Sequence, residues 1–106
     1  MEIKSIGLKG QNITGHIPAA IGELSELRYL FLSDNHLSGD IPSVLYTLPK
    51  LQNVDLGGND YAGAIPSEFG TMPALKTLVL KDNQYTGTIP DTILSNTQIE
   101  VLNLMG

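Results

Sequence analysis

At 106 residues the chain is about one domain by the usual roughly 100 to 200 residues per domain, and Leu, Ile, Val and Phe make up about 30% of it, above the roughly 20% below which charged chains stay disordered. Charged residues amount to 16%, and 11 acids against 6 bases leave a net charge of −5 that a phosphate backbone would repel, which argues against nucleic acid as a partner. Cysteine is absent, which removes disulfides, thiolate metal sites and cysteine nucleophiles together but leaves the compartment open.

Met1-Glu2-Ile3-Lys4-Ser5-Ile6 shows neither a basic start leading into an apolar stretch nor a cleavage site, and no run approaches the roughly 18 apolar residues of a membrane span, so no membrane contact by this segment is expected. Ile3, Ile6 and Leu8 instead open a pattern that recurs every 24 residues. Leu27, Leu51, Leu75 and Ile99 share one register, Leu30, Val54, Leu78 and Leu102 a second, and Leu32, Leu56, Leu80 and Leu104 a third. Self-similarity at such a period is the mark of a repeat architecture. Within a unit, Leu30-Phe31-Leu32 alternates inward and outward as a strand of about three to five residues does, and the leucine three residues earlier lies on the same inner side.

The strand is followed in each unit by a polar position, occupied by Asn35, Asn59 and Asn83. An amide buried at that bend can donate to and accept from backbone groups that no strand ladder reaches, so these three are read as a structural asparagine ladder. The first unit has Gln11 there with Asn12 beside it, and the ladder is expected to be imperfect at that end. Four copies of Gly-x-Ile-Pro come next, at Gly15 to Pro18, Gly39 to Pro42, Gly63 to Pro66 and Gly87 to Pro90. Proline suits the first position of a helical turn, so a short helical or 3-10 turn is predicted there, with Ile21, Leu45, Phe69 and Ile93 turned back into the core. Gly22 and Gly70 are read as stopping two of these turns through positive φ, while Tyr46 and Leu94 in the same place require another stop. Asn96 stands where Leu24, Leu48 and Met72 are apolar, which predicts a looser or reshaped last coil.

The spacing L-x-x-L-x-L-x-x-N-x-L with Gly-x-Ile-Pro after it resembles the plant-specific class of leucine-rich repeats, found chiefly in ectodomains of receptor kinases and receptor-like proteins and in polygalacturonase inhibitors. The likeness covers essentially the whole chain: Ile6-Gly-Leu-Lys-Gly-Gln-Asn-Ile-Thr-Gly-His-Ile-Pro18 resembles an early repeat of a plant receptor kinase, and Ile93 to Leu104 a later one. The resemblance implies an α/β repeat solenoid, a right-handed superhelix with one parallel strand per 24-residue coil, short helical or 3-10 turns on the convex side, and a second short strand around Gly-x-Ile. Residues 1–106 are then a single leucine-rich repeat domain of about four and a half repeats. Members usually carry cysteine-paired caps, and their lack suggests an internal fragment of a larger array or a member with unusual ends.

Catalysis has a poor claim. Ser33, Asp34 and His36 name a nucleophile, an acid and a base, but they lie within four residues at a strand end where Ser33 is expected to point outward and the chain bends away before His36. His16 and His36 read as surface residues, and Asp34, Asp60 and Asp82 as satisfying turn backbone beside the ladder. No loop offers the six or more oxygens calcium wants, so neither metal nor cofactor is expected. Asn12-Ile13-Thr14 is an N-glycosylation acceptor pattern.

The concave strand face is the functional candidate. Its outward positions are Ser5, Gly7 and Lys9, then Tyr29, Phe31 and Ser33, then Asn53, Asp55 and Gly57, then Thr77, Val79 and Lys81, then Val101 and Asn103. Outward aromatics with no core to join are costly unless they bind something, so ligand binding is assigned to Tyr29, Phe31, Asp55 and Val79, with Asn53, Thr77 and Lys81 around them; the alternative is that the two aromatics merely cover neighbouring backbone. Five strands about 4.8 Å apart with three outward positions each project only about 250 Å², against roughly 800 Å² per partner in a standard interface. The chain is therefore read as a non-catalytic module for a protein, peptide or glycan ligand, part of a larger extracellular or cell-surface protein, with a cytoplasmic location left open by the missing signal peptide and cysteines. The alternative reading is a self-associating scaffold whose terminal repeats mediate assembly, because Ile3, Ile6 and Leu8 at one end and Ile99, Leu102 and Leu104 at the other lack a covering coil.

Overall fold

The computed structural model describes residues 2–105. Five short parallel strands, β1 (Ser5–Gly7), β3 (Tyr29–Phe31), β5 (Asn53–Asp55), β7 (Thr77–Val79) and β9 (Val101–Asn103), form one sheet in the order β1-β3-β5-β7-β9. Pairing holds the 24-residue register throughout, from Ile6 opposite Leu30 to Leu78 opposite Leu102. One strand per coil, each joined to the next by a return path on the other side, makes a leucine-rich repeat solenoid.

The core lies between the sheet and the return paths. Leu27, Leu30, Leu45, Leu51, Val54, Leu56, Phe69, Leu75 and Leu78 are completely buried there. Full burial of such a side chain contributes about 1.5 to 3 kcal/mol, so the repeated columns, rather than strand length, hold the fold. Three return paths contain 3-10 turns, Ala19–Glu23, Ser43–Thr47 and Ser67–Thr71, each entered from an extended proline, and Ile21, Leu45 and Phe69 point inward from them. In the fourth, Ser95 N–H reaches Asp91 O at 2.8 Å, which closes a turn of α-helix, α1 (Asp91–Leu94). The last coil is also reshaped by Asn96, whose amide donates to Gly70 O at 2.9 Å while its Oδ1 accepts from Gln98 and Ile99 N–H. A polar turn thus replaces the apolar contact of Leu48 and Met72, and Leu94 is left 62% exposed.

Gly22 and Gly70 do not end their turns through positive φ. Both sit inside 3-10 turns and neither has a left-handed backbone. Their role is spatial: a Cβ on Gly70 would run into the carbonyl carbon of Thr92, and one on Gly22 would lie 2.7 Å from Val44 Cβ, so the missing side chain lets successive turns close on each other. Tyr46 fills the same column by burying its ring edge-on against Phe69, centroids 5.1 Å apart at 86°. Positive φ belongs instead to the glycines of Gly-x-Ile-Pro and to the residue before each ladder position, where Gly10, Asp34, Gly58 and Asp82 alternate. Glycine and aspartate are among the residues that tolerate that region.

A second set of strands also forms, but as two separate pairs. β2 (Thr14–Gly15) pairs with β4 (His36–Leu37), and β6 (Ala62–Ala64) with β8 (Gln84–Thr86). Between the pairs, Asp60 N–H bonds Leu37 O at 2.8 Å without a continuous ladder.

Candidate functional site

Strand alternation sends the middle residue of β1, β3, β5, β7 and β9 toward the core and the flanking residues to the concave face. Two outward rows result in register, Ser5, Tyr29, Asn53, Thr77, Val101 and Gly7, Phe31, Asp55, Val79, Asn103. Tyr29 and Phe31 are each 37% exposed, and their rings stack on one another with centroids 6.2 Å apart and planes 8° from parallel. The reason they stand free is local. The preceding strand offers only Ser5 and Gly7 beside them, and the next offers the polar Asn53 and Asp55, so the rings have each other and no apolar partner on an adjacent strand.

Next to the aromatic pair the face is pinned by short contacts. Asp55 Oδ1 accepts the Gly57 N–H at 3.0 Å, which fixes the carboxylate against its own strand. A Cβ on Gly57 would come within 3.2 Å of Lys81 Cγ, so the Lys81 stem crosses the space that glycine leaves. Asn53, Thr77 and Val79 are half-buried in between. All seven concave residues named from the sequence therefore occupy one continuous patch running from β3 to just past β7.

The scaffold behind that patch is a chain of amides. Asn35 donates to Leu8 O and Leu32 O at 2.9 Å and accepts from Gln11 and Ile13 N–H at 2.9 and 3.1 Å. Asn59 donates to Leu32 O and Leu56 O at 3.0 Å and accepts from Leu37 N–H at 3.0 Å. Asn83 repeats the arrangement toward Leu56 O, Leu80 O and Tyr61 N–H. Each side chain bridges its own coil and the preceding one. Gln11 stands outside this pattern, its amide turned to Lys9 O at 3.0 Å.

The sequence cluster Ser33, Asp34 and His36 assembles nothing. Ser33 keeps its place in the outward row with Lys9 and Gly57 but is only 8% exposed. Asp34 lies 3.9 Å from Lys9, and the exposed His36 faces Asp60 at 3.7 Å. Asn12 is exposed, with φ of 55°. Among the described residues no group of His, Asp and Glu could hold a metal ion, and no helix is long and apolar enough to cross a membrane.

Perturbed titrating groups lie off the face. The hydrogen bond from Lys50 Nζ, at 2.8 Å, holds Glu26 below the usual carboxylate range, aided by the charges of Lys50, Arg28 and Lys4. Burial pushes the Tyr61 phenol up to about 12, and its hydroxyl has no hydrogen-bond partner among the described residues. Tyr61 stacks on Tyr85, centroids 6.2 Å apart.

One feature of the site was not read from the sequence. All six bases, Lys4, Lys9, Arg28, Lys50, Lys76 and Lys81, lie in the strand half of the coil, where Glu2, Glu26, Asp34, Asp55, Asp82 and Glu100 balance them. The return segments 12–24, 36–48, 60–72 and 84–96 contain Glu23, Asp40, Asp60, Glu68 and Asp91 and no Lys or Arg. The entire net charge of −5 is thus carried by the convex half, and the concave half is neutral. The signal was present as the phase of each charge within the 24-residue period.

Comparison with known proteins agrees with this geometry. Residues 2–60 match the family profile described as leucine rich repeat. No curated protein matches. Among solved structures, the BIR3–SERK2 complex from Arabidopsis thaliana is 36% identical over 99% of this chain, with a TM-score of 0.92, and the chain covers 56% of it. The ectodomain of the Arabidopsis membrane receptor kinase GASSHO1/SCHENGEN3, in complex with CASPARIAN STRIP INTEGRITY FACTOR 2, is 38% identical over 95% of the chain, with a TM-score of 0.84 and 12% of its length covered. A plant ice-binding protein is 39% identical over 89% of the chain, with a TM-score of 0.80 and 30% of its length covered. With its 24-residue strand register, its bridging asparagines and its Gly-x-Ile-Pro turns, the chain belongs to the leucine-rich repeat family, in the form found in plant receptor ectodomains.

Proposed function

We propose that the chain is a non-catalytic recognition module that binds a protein or peptide on its concave strand face. The observation that carries this is the stacked, exposed Tyr29–Phe31 pair on a sheet face with no core to join. Such rings offer a large contact area at low conformational cost, and aromatic residues lead among interface hot spots. Asp55, held by the Gly57 N–H, and the exposed Lys81 give the patch one charge of each sign beside the apolar centre. Support also comes from the two receptor structures, each solved with a protein or peptide partner bound. The ice-binding relative does not favour the same role here, because a repeating surface lattice needs one residue repeated along a row, and both outward rows change residue at every strand. The same reading places the module outside the cell or at its surface, as part of a larger protein.

The test is selection of binders from a random peptide library followed by titration. Tyr29→Ala with Phe31→Ala should weaken a selected peptide by more than about 1 kcal/mol, roughly fivefold or more, whereas Asp40→Lys and Ala64→Glu on the convex side should leave it unmoved. Greater sensitivity to the convex changes would place the binding surface on the other side of the solenoid.

A further inference from the structure

Asn12 is the one asparagine of the chain followed two residues on by a hydroxyl, in Asn12-Ile13-Thr14. The equivalent triplets of the later coils are His36-Leu37-Ser38, Asp60-Tyr61-Ala62 and Gln84-Tyr85-Thr86. They keep the apolar middle residue, and two of them keep the hydroxyl, but none has the asparagine, so the repeat alone does not generate the acceptor pattern. The ladder residues Asn35, Asn59 and Asn83, and Asn96 after them, have their amides tied to backbone carbonyls.

The fold leaves Asn12 accessible. Asn12 and Thr14 are both exposed, while Ile13 between them packs against the core. The Asn12 amide makes no hydrogen bond among the described residues, so a substituent on its nitrogen displaces nothing. The backbone beneath is held from both sides. The N–H groups of Gln11 and Ile13 donate to Asn35 Oδ1 at 2.9 and 3.1 Å, and Ile13 O accepts His36 N–H at 2.8 Å. A bulky group rooted here keeps those bonds and stands on the flank past the ladder bend, beside β2 and β4, away from the outward rows of the sheet. Asparagine also suits the φ of 55° at this position, whereas Thr14 lies in strand and its hydroxyl makes no hydrogen bond among the described residues. Changing Thr14 therefore separates an acceptor from a turn residue.

We infer that Asn12 carries an N-linked oligosaccharide that covers the flank beside β2 and β4 and leaves the Tyr29–Phe31 patch open. The inference rests on the extracellular placement proposed above, because the sugar donor belongs to the secretory route. In the transfer, the Asn12 amide nitrogen attacks the anomeric carbon of an oligosaccharide linked to a lipid pyrophosphate. The C–N bond forms as the C–O bond to phosphate breaks, the lipid pyrophosphate leaves with the bonding pair, and the amide gives up one proton to solvent. Thr14 supplies the hydroxyl by which the acceptor is recognised. A bulky, hydrated group at this place removes the flank as a docking surface and leaves the concave rows as the open one.

The test is expression behind a cleavable secretion leader in plant cells. The chain recovered from the medium should carry added mass that peptide N-glycosidase A removes, and mass spectrometry should place it on the peptide containing Asn12. Asn12→Gln and Thr14→Ala should each abolish the added mass, and Thr14→Ser should keep it. A chain secreted without sugar would overturn the inference and leave the recognition reading standing. Sugar on Asn12 of a chain that selects no peptide would support the inference and count against the concave reading. The cysteine-free sequence allows the position to be read separately. His36→Cys on the flank should react with a bulky maleimide more slowly before the sugar is removed than after, and Lys81→Cys should react equally in both states. Protection of Lys81→Cys instead would overturn the placement. Removing the sugar should leave a peptide selected on Tyr29 and Phe31 bound within about twofold, as expected for independent sites.

Discussion

Asn59→Leu measures how much of the fold rests on the bridging amides. The two N–H groups of the native amide reach three carbonyls, Leu32 O, Leu56 O and Gly57 O, one of them shared, and its Oδ1 accepts from Leu37 N–H. The three carbonyls do not become orphans in the variant, because Leu32 O keeps Asn35, Leu56 O keeps Asn83 and Gly57 O keeps Asp34 N–H. The group stranded is the N–H of buried Leu37, which has no other partner among the described residues. An unsatisfied buried donor costs about 1 to 3 kcal/mol, and weakening the second bond at three carbonyls adds to it, so a loss of about 3 kcal/mol is expected. For a domain of this size that lowers the midpoint of thermal unfolding by roughly 12 to 24 °C. Far-UV circular dichroism against temperature reads it, with Asn83→Leu as the internal comparison, since Asn83 is only partly buried and should cost less. A midpoint within about 2 °C of the parent would show that solvent or a shifted backbone satisfies Leu37, and the ladder would carry no stability.

Four further outcomes are expected. Gly70→Ala should destabilise by about 2 kcal/mol or more, since its Cβ meets the Thr92 backbone. Gly22→Ala should cost less because the Val44 side chain it meets is exposed; equal melting of the two would reject the close-approach argument. Tyr61→Phe should be neutral or stabilising by up to about 1 kcal/mol, because it deletes a buried hydroxyl with no partner. The raised Tyr61 value means that the folded state holds the phenolic proton more tightly, so stability is full below the ordinary tyrosine value near 10 and falls as pH rises through about 12, a loss that Tyr61→Phe should reduce in base titration. Glu26 has the opposite sign: its lowered value gives stability present above the ordinary carboxylate value and lost as pH falls through the folded value, and Lys50→Ala should flatten that acid limb.

The repeat made the sheet, its register and the outward rows legible, because each depends only on position within 24 residues. What was misread depends on how one coil meets the next. Gly22 and Gly70 look like turn terminators along the chain, yet their reason is an approach to Val44 and Thr92 in the following coil. Ser33 is outward by alternation yet only 8% exposed, a burial that position within the period does not register. The implied second strand is interrupted after Leu37 because its pairs join residues 22 apart, Thr14 to His36 and Ala62 to Gln84, out of step with the 24-residue repeat.

That same phase dependence separates the two sides of the solenoid. In a solenoid each coil touches only its neighbours, so a residue's place in the period decides which side of the molecule it faces while leaving the core untouched. Placing Glu23, Asp40, Asp60, Glu68 and Asp91 on the return paths puts the whole net charge on the convex side. Two convex faces brought together oppose like charges, and that cost falls with added salt. The strand half of the coils is neutral overall, with Lys9, Asp55 and Lys81 on the outward rows, and it presents its aromatics to a partner whose charge matters less. A peptide selected on Tyr29 and Phe31 should therefore bind about equally at low and high salt, whereas a peptide held by the acidic return paths should lose affinity as salt rises.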